Sequence, residues 1–483
     1  MAYDPQITKR SVTSSLVWKV LERIFSQGIN LVVQIVLARI LLPRDFGNLA
    51  IIVAITNYAA LFVQSGLSTA IIQKKELDKK DIETLMVSSL FIALFFFVIL
   101  FLAAPRISAY YGDNSLTWPL RILSLILFLN AIYSVQTGLF SRKMQFKKLF
   151  IRSALAVPIS GVVGIVMALE GYGLWSLVVH NLLNMIVIVV FMSFDPDCRI
   201  KLSFSKERAL PLFSFSGKIL LANLISGFGD FAKTMIIGKR YSAVDLAYYD
   251  KAYTYSNYIT QIVNGSISGV LLPTFSRSQN DKASVKNMTR KSVSMTAFVM
   301  FPVLLWVLAA ADNLVLVLLT DKWASCIFFL QLFCVLRLPG CITSIDRQVY
   351  FALGNSSFNL YYEVGFFISN IVMLIITVPM GVIAIAWGAT ILELIGCFAL
   401  FLLTSKMLSY SLLERFNDIK KPLCNAIIMM VATLLINNLN CSPFLTLLLQ
   451  VLTGVLVYIC MAFIMHDDNI MQGKEMFLSI INK

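Results

Sequence analysis

The sequence predicts an all-α integral membrane protein of about fourteen transmembrane helices. Of its 483 residues, 58% are hydrophobic and only 14% are charged, whereas a soluble domain carries roughly 25% charged residues. Mean hydropathy is +0.80. Apolar runs of about twenty residues recur from one end of the chain to the other, each long enough to cross a hydrocarbon core about 30 Å thick.

Inside a bilayer no water satisfies an open backbone, so these runs must be helical. The expected spans are 16–41, 46–72, 82–104, 118–140, 149–169, 173–193, 209–238, 245–272, 292–319, 325–352, 357–379, 382–404, 423–439 and 443–465. Pro119 and Pro211 fall near helix starts, where proline costs little. Pro158, Pro302 and Pro339 fall inside spans and are candidate kinks. Lys9 and Arg10 precede the first run. That run carries Lys19, Glu22 and Arg23 and is followed by no small-residue cleavage site, so it reads as a retained first helix.

The net charge of +14 is carried mainly by the connections. The N-terminus, the even-numbered loops and the C-terminus hold 26 Lys and Arg, among them Lys79, Lys147, Lys206, Lys286 and Lys420, against 6 in the odd-numbered loops. Cytoplasmic loops collect the basic residues, so both termini are expected in the cytoplasm. The same distribution argues against nucleic acid as a partner. The eight cysteines are scattered without a CxxC pair and read as small hydrophobes, with no disulfide framework and no metal site.

An internal repeat is legible at an offset of 200 residues. Arg39 matches Lys239, Asp45 matches Asp245, Asn57 matches Asn257, Gln64 matches Asn264 and Ser68 matches Ser268. Six helices separate the copies, so both have the same orientation, giving a parallel repeat about the membrane normal. The expected domains are six-helix bundles over 1–195 and 206–405 around a central cavity, with two extra helices over 420–466.

Polar residues in a bilayer core usually face a bundle interior or a hydrated cavity. Lys19, Arg23, Gln27, Asn30 and Gln34 share one face of the first span, at three- and four-residue steps. Asn57 and Gln64 lie in the second span, and Lys218, Asp230 and Lys233 in the seventh. Asp250, Asn257, Gln261 and Asn264 line the eighth. Such runs are longer than helix–helix hydrogen bonding needs, so they are read as a cavity lining, with Lys19, Arg23, Lys218 and Lys233 as its cations. Glu363 and Glu393 are lone acids in apolar helices and are the candidates for H+ or Na+ coupling. Arg121, Arg337, Asp346 and Arg347 receive no role.

Signals for catalysis are weak, and no enzymatic activity or cofactor is expected. His180 reads as a packing residue. Asp195-Pro-Asp197 has the spacing of a metal–nucleotide-sugar motif but sits in a short linker with no domain around it.

The run LARILLPRDFGNLAIIVAITNYAALFVQSGLSTAIIQKKEL over 37–77 resembles the opening of the Wzx-type polysaccharide flippases. GLFSRKMQFKKL (138–149), GKRYSAVDLAYYDKAYTYSN (238–257) and LLPTFSRSQND (271–281) resemble the colanic-acid-exporter-like branch. The resemblance implies membership of the multidrug/oligosaccharidyl-lipid/polysaccharide exporter superfamily. It further implies alternating-access transfer of an undecaprenyl-pyrophosphate-linked oligosaccharide from the cytoplasmic to the periplasmic leaflet of the inner membrane. Membrane lipids and polysaccharide assembly machinery would be partners. A cation-coupled small-solute or drug antiporter and a membrane-embedded glycan polymerase are the competing readings. The first would want a more acidic or more apolar cavity, and the second a sizeable periplasmic loop.

Overall fold

The computed structural model describes residues 9–64, 71, 77–198, 203–278, 281–353, 356–439, 441–467 and 469–470; the side chains of residues 9–24, 197, 210–216, 218–219, 262–270, 272–273, 276–277 and 356–360 lie outside the description. Every regular element among the described residues is helical. The long helices are α1 Lys9–Ile40, α2 Pro43–Gln64, α3 Lys79–Tyr111, α4 Asn114–Arg142, α5 Phe146–Leu169, α6 Leu174–Ser193 and α7 Lys206–Arg240. They continue with α8 Ala243–Arg277, α9 Lys282–Leu319, α10 Cys326–Ala352, α11 Ser356–Thr377, α12 Val382–Leu408, α13 Leu412–Leu435 and α14 Pro443–Ile464.

Twelve helices among the described residues are long and apolar enough to cross a membrane, so the chain is a multi-pass membrane protein. The other two expected spans coincide with α1 and α8. Among the described side chains, α1 holds the shorter apolar stretch Phe25–Ile40. The expected repeat reappears in the helix boundaries: α1 ends at Ile40 and α7 at Arg240, while α2 begins at Pro43 and α8 at Ala243.

The expected kinks at Pro158, Pro302 and Pro339 do not interrupt their helices. The interruption comes in α4, which is divided at Ser124–Leu125 into Thr117–Leu123 and Ile126–Arg142. The Ser124 hydroxyl there donates to the Arg121 carbonyl at 2.6 Å, an alternative to continued helix that serine readily supplies.

The chain divides into two compact units, Met1–Ala247 and Tyr248–Lys483. α7 packs on α2 and α3 within the first unit. In that unit α1 lies along α5, and Gly161 admits the crossing: a Cβ there would meet Val33 Cγ2 at 2.5 Å.

The PRDFG motif builds the corner between α1 and α2. Leu42 N–H donates to Asp45 Oδ2 at 3.3 Å, closing the first turn of α2. Arg44 Nη2 and Asn48 Nδ2 reach Asp113 Oδ2, in the α3–α4 turn, at 2.9 and 3.1 Å. Gly47 leaves room for the start of α8, since a Cβ there would fall 1.6 Å from the Ala243 carbonyl oxygen. Partial burial alone would raise the Asp113 carboxyl, but the hydrogen bonds from Ser115, Arg44 and Asn48 outweigh it and pull the group down to about 2. The corner therefore contributes stability above the unfolded value near 4, lost as pH falls toward 2. The motif that carries the family resemblance is thus largely architectural.

In the second unit α9 packs on α10, α13 and α14, α12 on α10 and α11, and α13 on α14. The inner face of α14 runs Thr446, Gln450, Gly454, Tyr458 and Ala462, one residue per turn, all buried. Trp306 Nε1 donates to the Gln450 carbonyl at 3.0 Å and the Tyr458 hydroxyl to the Phe298 carbonyl at 2.7 Å. Gln450 Nε2 donates to Asn437 Oδ1 at 3.0 Å. Apolar contact gives no net drive between helices in lipid, so hydrogen bonds and a small residue at the closest approach hold α14 in place. Its outer face shows Phe444, Leu452, Leu456, Phe463 and Ile464, all exposed on the protein surface, as a lipid-facing helix requires.

Candidate functional site

The polar stripes fall on helices of both units. In the first, α1 buries Val33 and Leu37 and leaves Gln27, Asn30 and Gln34 half-buried beside them. Gln27 Oε1 is buried with no hydrogen-bond partner among the described residues. The side chains of Lys19, Arg23, Lys218 and Asn264 lie outside the described residues.

On α2, Asn57 is exposed and Gln64 half-buried. Tyr58 stacks on Phe231 of α7 at 4.4 Å, which sets these two helices side by side. On α7 the expected cation Lys233 is buried, and its Nζ lies 2.7 Å from Asp230 Oδ1, one turn earlier on the same helix. Asp230 itself is exposed. The two residues were expected to line a cavity separately, and the three-residue spacing brings them together as an ion pair.

In the second unit, Asp250 and Asn257 on α8 are half-buried and Gln261 is exposed. Lys251 is 6% exposed, with Nζ 5.8 Å from the Tyr255 ring. Glu363 on α11 pairs with Arg347 of α10 at 2.8 Å, and Arg347 also lies over the Tyr362 ring at 5.6 Å. Glu393 is half-buried on α12.

Arg337, in the middle of α10, stands out. Its guanidinium lies 4.8 Å from the centre of the Tyr253 ring. Its Nε and Nη2 are buried and have no hydrogen-bond partner among the described residues. A guanidinium with open donors inside a membrane span is costly. The sequence signal was available, a mid-span arginine two residues before Pro339, but nothing in the spacing distinguished it from Arg121 and Arg347. Arg121 is in fact satisfied, with Nε donating to the Phe101 carbonyl at 3.1 Å and the guanidinium over Phe101 and Trp118.

Two weaker motifs resolve as structure. Asp195 is buried and accepts from Lys148 at 2.7 Å and Arg152 at 3.0 Å, so this half of the D-x-D motif is consumed by α5. His180 is buried in α6, where a Cβ on Gly164 would meet its own Cβ at 3.0 Å.

Several known proteins share this sequence or fold. The chain is 27% identical over 321 residues to the succinoglycan biosynthesis transport protein ExoT of Rhizobium meliloti (strain 1021), covering 66% of this chain. That stretch spans 65% of the relative, just under two thirds of its length. It is 24% identical over 347 residues to the lipopolysaccharide biosynthesis protein WzxC of Escherichia coli (strain K12), covering 71% of this chain and 69% of WzxC. The fold matches the lipid II flippase MurJ in an inward closed conformation at a TM-score of 0.77 and 16% identity, over 94% of this chain and all of MurJ. At that identity the likeness establishes the two-lobed membrane transporter fold alone. Over residues 36–328 the sequence matches the polysaccharide biosynthesis protein family, and the chain belongs to that family.

Proposed function

We propose that the chain moves an undecaprenyl-pyrophosphate-linked oligosaccharide from the cytoplasmic to the periplasmic leaflet of the inner membrane by alternating access, and performs no catalysis. The observation that carries this reading is Arg337, a mid-membrane guanidinium with buried open donors. The names of ExoT, WzxC and MurJ supply the substrate class. Each sugar hydroxyl stripped of water costs several kcal/mol in hydrocarbon (roughly 2–7 kcal/mol). Asn, Gln and Tyr side chains on the polar faces replace that hydration, and cations balance the pyrophosphate. A cation-coupled small-solute or drug antiporter would want a more acidic or more apolar lining, and a glycan polymerase a large periplasmic loop.

The polar faces of α1 and α7 come from repeat-related helices, so Arg23 and Lys218 are proposed to serve the substrate along with Lys19 and Lys233. The double variant Arg23→Ala/Lys218→Ala is expected to lose export of the lipid-linked glycan at normal protein abundance, and Arg23→Lys to keep part of it, since charge survives while bidentate geometry is lost. Full export by a stably expressed double variant would refute the cationic site. Glu363 and Glu393 remain the proposed H+ or Na+ sites, and in Glu363 the carboxylate must first leave Arg347. Glu363→Gln and Glu393→Gln are scored in the same assay across pH and sodium, where unchanged export removes them.

The charge distribution supports a cytoplasmic position for both termini and for the loops near 76, 146, 204, 284 and 415. Single cysteines at these loops, on a cysteine-free background, are expected to resist an impermeant reagent added from outside. Labelling at 284 would overturn the orientation.

A further inference from the structure

Outside the polar stripes, the second unit holds a cavity of about 410 Å³ between the N-terminal parts of α9 and α13 and the segment after α14. That volume suits a small-molecule head rather than a solvent void. Arg290, Lys291 and Lys421 bring positive charge to it, and Ser294 and Asn469 bring neutral donors.

These groups are not equivalent. Arg290 is held by Asp418 through two hydrogen bonds of 2.8 and 2.7 Å. Lys421 Nζ spends one donor on the His466 carbonyl at 2.9 Å and has two more. Two acids also line the cavity, Asp418, which is taken up by Arg290, and Asp467, which is 5% exposed. Asp467 Oδ1 accepts from the Asn469 backbone and side-chain amides at 3.1 and 2.7 Å. Its Oδ2 is buried with no hydrogen-bond partner among the described residues. A buried carboxylate oxygen left unpaired costs more than a lost hydrogen bond, so the site has a place for a donor that none of the described residues supplies.

A ligand that fits must present an anion to Lys291 and Lys421 and an N–H donor to Asp467 at once. Leu413 and Phe416 on α13 lie within four positions of the lining residue Asn417, and Phe463 and Ile464 at the end of α14 within four of Asp467, and all four are exposed apolar side chains. A head bearing both charges, with acyl chains lying along these side chains, satisfies every feature. We infer that this cavity binds the head of an aminophospholipid, its phosphate at Lys291 and Lys421 and its primary ammonium at Asp467.

The test uses the full-length protein purified in detergent and analysed by native mass spectrometry against matched-chain phosphatidylethanolamine, phosphatidylcholine and phosphatidylglycerol. Phosphatidylethanolamine is expected to be retained at least about tenfold over phosphatidylcholine, whose quaternary ammonium has no N–H to give. Free phosphoethanolamine is the second arm. Displacement of the lipid by millimolar phosphoethanolamine shows that the head alone is recognised, and failure to displace shows that the acyl chains contribute; either is compatible with the site only if the preference over phosphatidylcholine is present. Asp467→Asn is expected to abolish that preference while phosphatidylglycerol binding persists, and Lys291→Ala/Lys421→Ala to weaken all three lipids. Equal retention of the three lipids by the unsubstituted protein overturns the proposal without recourse to any variant, as does an intact preference in Asp467→Asn.

Discussion

Arg415→Ala is expected to destabilise the second unit by about 3–5 kcal/mol, the range for removing one partner of a buried ion pair. The Arg415 side chain at the start of α13 is 3% exposed, and the Asp346 side chain it meets on α10 is 0% exposed. Two hydrogen bonds of 2.9 and 2.8 Å join them in a fork. Phe401 and Tyr410 flank the guanidinium at 4.3 and 4.8 Å. Taking the arginine away leaves a carboxylate with no solvent and no counter-charge. Replacing both residues, as Asp346→Leu/Arg415→Met, removes the desolvation cost on both sides, so the double variant is expected to recover most of the loss. Thermal unfolding of the purified protein in detergent measures this. A double variant no more stable than Arg415→Ala would show that the pair contributes through something other than mutual compensation.

Arg337→Ala is expected to reduce glycan export by about ten- to a hundredfold, the worth of one or two hydrogen bonds to a charged group, with protein abundance unchanged. The abundance follows from the same geometry: the side chain gives up little when truncated, because its open donors satisfy nothing in the described structure and its contact with Tyr253 is worth roughly 0.5–2 kcal/mol. Arg337→Lys is expected to fall between the two. The readout is accumulation of lipid-linked glycan against its appearance at the outer leaflet, normalised to protein in the membrane. Normal export by Arg337→Ala, or loss that tracks protein level, would assign the residue to packing.

The contrast between Arg415 and Arg337 shows where sequence reading stops. Composition and span length gave the class, because hydrocarbon thickness leaves helices little freedom of length. The repeat gave the helix ends at 40/240 and 43/243, because polar positions are rare enough in such spans for register to be visible. Pairing was not legible. Arg347 meets Glu363 across 16 positions, Arg415 meets Asp346 across 69, and Asp230 meets Lys233 within one turn. The one-dimensional pattern made Glu363, Asp230 and Lys233 candidate site charges and gave Asp346, Arg347 and Arg337 no role, and only packing separates the charges neutralised by a neighbour from Arg337. The helices run on through Pro158, Pro302 and Pro339 for a related reason: neighbouring helices re-satisfy a freed carbonyl, so a helix in a bundle can run through proline.

The corner between α1 and α2 bears on how the chain is made. Only Leu41 and Leu42 separate Ile40 from Pro43, and only Tyr241 and Ser242 separate Arg240 from Ala243. Such a connection reaches about 11 Å at full extension, well short of a hydrocarbon layer about 30 Å thick. The ends that each corner joins must therefore stay at one face of the layer throughout insertion. Because α1 lies along α5, Gln27, Asn30 and Gln34 of α1 meet their long packing neighbour only after α2, α3 and α4 have been made.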